Sequence, residues 1–248
     1  MTAAANTIRL SALETKKLKR TGYVPAFLGG GLLAGLVPVL NMAVRSERYV
    51  TQSGSPFSIL MDANWQLMAQ LNILLLVCGA CILYHTEYAE NGFQRAETLP
   101  MKASGLFSGK LCILFCSCLL PICLETLSLL FCCTRYFPEI PDLGRTLLKG
   151  MGFELALLLP TAAAMLFLSS LCRNLWMCLG TGVILVFFSS MLRFGNFVMA
   201  VIPFAAPYRM LHQFSSGEAW RLLSIAAAEV VLFYAAEMIY TKLRRYFQ

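Results

Sequence analysis

Long apolar stretches alternate with short polar ones along this chain, and the apolar stretches set its elements. Runs at Tyr23–Val44, Trp65–Thr86, Leu111–Cys133, Leu147–Leu171, Leu175–Leu192 and Ala219–Tyr240 each read as a helix able to cross a bilayer. Such a crossing takes about 20 residues at 1.5 Å rise each. The stretch between the fifth and sixth runs, RFGNFVMAVIPFAAPYRMLHQFSSGEA over 193–219, is apolar but broken by Pro203 and Pro207. Prolines free backbone groups that only water or protein can satisfy, so this stretch reads as a re-entrant segment of short helices at the outer interface. The expectation is an all-α, polytopic membrane protein. Six transmembrane helices form one domain over residues 1–248, with the broken segment just before span six.

Composition agrees with that pattern. Of 248 residues, 58% are hydrophobic and 13% charged, and mean hydropathy is +0.67. A water-soluble domain carries roughly twice that charged fraction. The 22 residues ahead of the first run are basic and polar, with no convincing cleavage site after it, so no cleaved signal peptide is expected. Within them, TIRLSALETKKLKR mixes Ile8, Leu10, Leu13 and Leu18 with basic residues. It reads as an amphipathic helix on the cytoplasmic leaflet, the alternative being a disordered basic arm.

Charge sets the orientation. With both termini cytoplasmic, the inner segments hold twelve of the 20 Lys and Arg, including Arg9, Lys16, Lys17, Lys19 and Arg20 at the start and Lys242, Arg244 and Arg245 at the end. Inner loops favour basic residues. The net charge of +7 therefore describes orientation and contact with anionic membrane lipid, not nucleic acid.

Enzyme motifs are wanting. SGLFSGKL at Ser104–Leu111 resembles a phosphate-binding loop, but Ser104 replaces the first Gly and Leu111 the Ser or Thr that would hold Mg²⁺. Histidine occurs only at His85 and His212, which leaves little for a histidine-based catalytic centre. The ten cysteines lie almost all in apolar runs, as small buried hydrophobes do. Cys78, Cys81 and His85 share a helix face, but no fourth zinc ligand is evident.

Polar residues inside the runs carry the more specific signal. Glu125, Glu154 and Glu229 sit within spans, and Glu237 lies near the inner end of the last one, where Lys242 or Arg244 is within reach. Intramembrane carboxylates face protein or a wet cavity. Glu125, Glu154 and Glu229 are either hydrogen-bonded packing residues or the lining of a path for a cationic or polar substrate. Gly31 and Gly35 have the small-xxx-small spacing of closely approaching helices, inside the subunit or across a dimer interface. In the broken segment, Phe204 and Tyr208 are candidates for an outer gate or lateral entry site, the alternative being an inert plug.

The segment EYAENGFQRAETLPMKAS, Glu87–Ser104, separates spans two and three. Tyr88–Leu99 reads as a short cytoplasmic helix, broken at Asn91-Gly92 and stopped by Pro100. An acidic residue and "ENG" after the second span, a short charged helix, "LP", and a basic residue before the third span resemble the permease subunits of type-2 ABC exporters. The resemblance implies that 87–104 is a coupling segment resting on a separate ABC ATPase subunit. Glu87, Glu90, Asn91, Gly92, Phe93, Leu99 and Pro100 then occupy the coupling positions. It also implies that ATP and Mg²⁺ bind the partner ATPase while this chain has no cofactor or ATPase site of its own. A second, related permease subunit or a second copy completes the transporter.

Size and pattern are most similar to the permeases of lantibiotic-immunity transporters, which have no large extracellular domain. That implies a bacterial plasma-membrane complex expelling an antimicrobial peptide for self-immunity or resistance. Two other readings are an exporter of another amphipathic or lipid-like substrate and a proton-coupled secondary transporter. The chain shows no inverted internal repeat for the latter.

Overall fold

The computed structural model describes residues 18, 21–89, 103–137, 142–192 and 201–247. Helices make up most of them: α1 (Tyr23–Val50), α2 (Pro56–Ala89), α3 (Ala103–Tyr136), α4 (Leu143–Leu171), α5 (Leu175–Met191) and α6 (Ser216–Phe247). Two 3₁₀ turns, Ala206–Tyr208 and Leu211–Gln213, lie between α5 and α6. Five of the helices are long and apolar enough to cross a membrane, and α5, at 17 residues, is a shorter apolar helix. At 1.5 Å per residue α5 is about 25 Å long, close to the ~30 Å hydrocarbon core.

The helices run past the apolar stretches that predict them. α2 begins at Pro56 rather than Trp65 because the polar Asp62 and Asn64 are helical too. α6 begins at Ser216 because Ser215 and Glu218 form a reciprocal cap. The Ser215 backbone N–H donates to Glu218 Oε2 at 2.9 Å, while the Glu218 N–H donates to Ser215 Oγ at 3.4 Å. Asn174 caps α5 by accepting from the Trp176 N–H at 2.9 Å.

α2 is the central post. It packs against α1, α3, α4, α5 and the first 3₁₀ turn, while α4 packs against α2, α3 and α6. These two helices bury the largest shares of their apolar windows, 61% and 67%. Along α2, Leu60, Met68, Ile73, Leu76, Val77, Ala80 and Leu83 are nearly inaccessible.

α1 reaches α3 through glycine. A Cβ on Gly31 would fall 2.9 Å from Pro121 Cα, and one on Gly35 would fall 3.3 Å from the Leu124 carbonyl oxygen. The small-residue face of α1 is thus used inside the subunit. The opposite face of α1, with Leu28, Leu32, Leu36 and Leu40, is exposed, as are Ile184, Phe187, Phe188 and Met191 on α5. Apolar side chains on the outside of an apolar bundle suit a lipid solvent.

Candidate functional site: carboxylates and amides between the helices

Three apolar helices each bring one strongly polar group to the same place. Asn72 of α2 donates through Nδ2 to Glu125 Oε2 of α3 at 2.9 Å and to Glu154 Oε1 of α4 at 2.8 Å. All three side chains are buried, with relative exposures of 2%, 1% and 6%. Two acceptors on the two hydrogens of one trigonal nitrogen lie about 5 Å apart. Asn72 Oδ1 and Glu125 Oε1 have no hydrogen-bond partner among the described residues. The group therefore holds two carboxyls on a single amide donor, with acceptors left over. Such a site attracts positive charge or a hydrogen-bond donor.

A second amide relay lies further along α2. Asn41 Nδ2 of α1 donates to Asn64 Oδ1 at 2.8 Å, and Asn64 Nδ2 donates to the Leu60 carbonyl at 2.8 Å. The Tyr49 hydroxyl reaches Asn41 Oδ1 at 3.3 Å. Asn64 and Asn72 are eight residues apart and so share a face of α2. Attention to charged residues alone misses Asn41, Asn64 and Asn72. Their signal is amide side chains spaced within apolar runs.

Glu229 stands apart from Asn72, Glu125 and Glu154. α6 buries it to 7% exposure, and neither of its carboxylate oxygens has a hydrogen-bond partner among the described residues. Glu237, two turns on, joins a network linking helix ends. Its Oε2 accepts from Ser170 Oγ of α4 at 2.5 Å, and its Oε1 accepts from the Tyr84 hydroxyl of α2 at 3.4 Å. The Tyr88 hydroxyl donates to the Ser170 carbonyl at 2.6 Å. Lys110 of α3 donates to the Leu83 carbonyl at 3.3 Å, with its ammonium 5.1 Å from the centre of the Tyr84 ring. Four helices meet here, at the end of α2 that leads into the 87–104 segment. Glu87 lies in the last turn of α2. Glu90, Asn91, Gly92, Phe93, Leu99 and Pro100 fall outside the described residues, as does nearly all of the N-terminal segment.

Phe204 and Tyr208 are buried at 6% and 3% exposure and belong to the main apolar core. The Tyr208 hydroxyl donates to the Val186 carbonyl at 3.4 Å, and the Thr161 hydroxyl donates to the Pro203 carbonyl at 2.6 Å, which seats the turn on α4 and α5. Burial raises the Tyr208 pKa to about 12. Arg209 beside it is 5% exposed, its Nε and Nη2 have no hydrogen-bond partner among the described residues, and burial lowers its pKa from the usual value. Its guanidinium stacks over Phe214, 5.8 Å from the ring centre. At the start of α2, Asp62 meets His212 Nε2 at 3.0 Å and Gln213 at 3.3 Å, tying the second 3₁₀ turn down.

Among the described residues, no three His, Cys, Asp or Glu are placed to hold a metal ion. No curated protein and no solved structure matches the chain. A family model described as "ABC-2 family transporter protein" matches residues 10–189. That range runs from the N-terminal segment through nearly all of α5, and it includes Asn72, Glu125 and Glu154. Taken with the multiple apolar helices, the match shows that this multi-pass membrane chain belongs to the ABC-2 transporter family, a family of permeases that implies an ABC ATPase as partner.

Proposed function

We propose that the chain is the permease subunit of an ATP-driven exporter that expels a lantibiotic or similar antimicrobial peptide from the bacterial plasma membrane, giving self-immunity or resistance. In this reading α1 to α6 make six spans with both termini cytoplasmic, and the N-terminal segment lies as an amphipathic helix on the inner leaflet. The 87–104 segment rests on the ATPase, which binds ATP and Mg²⁺. Glu87, Glu90, Asn91, Gly92, Phe93, Leu99 and Pro100 make that contact. A second, related permease or a second copy completes the pathway, and Phe204 and Tyr208 close its outer end.

The observation that carries the substrate class is the Asn72–Glu125–Glu154 group, with two carboxyls on one donor in an apolar bundle. A permease for cationic amphipathic peptides needs such an attraction for positive charge on its path. Glu229, buried and without a hydrogen-bond partner among the described residues, offers a separate carboxyl on α6. The same carboxyls favour a second reading, proton-coupled transport without ATP.

The test is to express the chain with its neighbouring ATPase and permease genes and measure growth under a cationic lantibiotic. Resistance that disappears when the ATPase loses its catalytic carboxylate supports the exporter. Resistance that survives this but falls with a protonophore supports the second reading. No gain in resistance rules out the peptide as substrate. Phe93→Ala or Glu90→Ala should weaken ATPase association while leaving membrane insertion intact.

A further inference from the structure

Cysteine is distributed through this chain as if by composition alone, yet the fold collects three thiols at one spot. Cys81 of α2 and Cys178 of α5 face each other, Sγ to Sγ at 3.4 Å. Ser169 Oγ of α4 lies 3.2 Å from Cys178 Sγ, in contact as donor or acceptor. Cys172, half-buried in the turn between α4 and α5, lies beside Cys178. Together they line a small pocket that also includes His85 and Arg173. Both of those are exposed, so the pocket opens at the helix ends and does not sit in the middle of the bundle.

We propose that Cys81 and Cys178 are a site of reversible oxidative cross-linking, a disulfide that ties the central helix α2 to α5. The backbone makes this bond accessible. Four residues away on each helix, Gly182 of α5 presses against Val77 of α2 so closely that a Cβ on the glycine would fall 2.5 Å from Val77 Cγ1. The two helices are antiparallel, and Val77–Gly182 and Cys81–Cys178 are consecutive rungs of one register. Glycine at one rung brings the helix axes together at the next. A disulfide needs Cα atoms about 4.4–6.8 Å apart and sulfurs ~2.05 Å apart. The existing thiol contact is therefore little more than 1 Å from bonding distance.

The oxidant is a hydroperoxide. One thiol sulfur attacks the distal peroxide oxygen, giving a sulfenic acid and one water (an alcohol, for an organic peroxide). The second thiol attacks the sulfenic sulfur, forms the S–S bond and releases a second water. Both thiol protons leave in the products, and the peroxide O–O bond takes up the two electrons. A dithiol reverses the step by exchange.

The test uses the full-length protein in membranes, treated with hydrogen peroxide, alkylated, digested and analysed by mass spectrometry without reduction. The expected result is a Cys81–Cys178 linked peptide that disappears after dithiothreitol. Free thiols, counted by a polyethylene-glycol maleimide shift under denaturing conditions, should fall by two in the Cys172→Ser protein, and that loss should vanish on adding Cys81→Ser. Absence of the linked peptide in the wild-type protein would overturn the proposal, whatever other thiols oxidise. So would a two-thiol loss that persists without Cys81, since the bond would then join other cysteines.

Discussion

Asn72 is the residue on which the buried carboxyls depend. Its one amide nitrogen serves Glu125 and Glu154 together. Asn72→Leu fills the same space but takes from both carboxyls the amide donor they share, and each orphaned group costs about 1–3 kcal/mol. The purified variant should unfold at a lower temperature than wild type in detergent. Adding Glu154→Gln, which puts a new amide donor beside Glu125, should recover part of the loss. Strict additivity of the two changes would show that the three side chains do not act as one group. The sequence makes Glu125 and Glu154 visible, because charge in an apolar run is conspicuous. It does not show that they meet, since α3 and α4 are brought together only by packing on α2. Asn72 itself goes unread because it carries no charge to mark it within an apolar run.

At the scale of elements, two junctions decide how the bundle works. The first is α1 on α3. Gly35→Val would drive methyl groups into the Leu124 carbonyl and Ser128, and overpacking of this kind costs ~1–3 kcal/mol. Less folded protein should reach the membrane, whereas Gly29→Ala, at a position with open space around it, should be neutral. The second is the Glu237 network at the foot of α2, α3, α4 and α6. Tyr84 and Tyr88 sit in the last turns of α2, directly ahead of the proposed coupling segment, and reach α4 and α6 through Ser170 and Glu237. In the proposed mechanism, a push on that segment would pass through these hydrogen bonds. Glu237→Ala should leave ATPase association intact yet lower peptide export roughly tenfold, with Glu237→Gln, which keeps an acceptor, closer to wild type. Equal activity of all three proteins would assign the network to folding alone.

The helices themselves are legible, because six apolar runs, five of them in helices long enough to cross a membrane, leave little choice in a bilayer. Their starts are less so. The Ser215–Glu218 cap and the helical Asp62–Asn64 turn extend α6 and α2 beyond the apolar residues that announce them. Glu237 reads in sequence as an end-of-span anchor for Lys242 or Arg244; its bonds to Tyr84 and Ser170 depend on helices far away in the chain.

For the whole molecule, the fold turns the carboxyls and amides of its apolar helices inward and leaves apolar side chains of α1 and α5 outward. The family match supplies the class, and the interior chemistry supplies the proposed substrate. Cationic peptide, drawn by carboxyls that one asparagine holds together, is the account's central claim. The direct measurement is ATP-dependent release of a fluorescent cationic lantibiotic from proteoliposomes containing this chain, its permease partner and the ATPase. The Glu125→Gln/Glu154→Gln protein is compared with wild type at matched assembly. The account predicts that release slows by roughly tenfold, about 1.4 kcal/mol in the barrier, while ATP hydrolysis in the absence of peptide stays unchanged. Release at the wild-type rate from the double variant would contradict it.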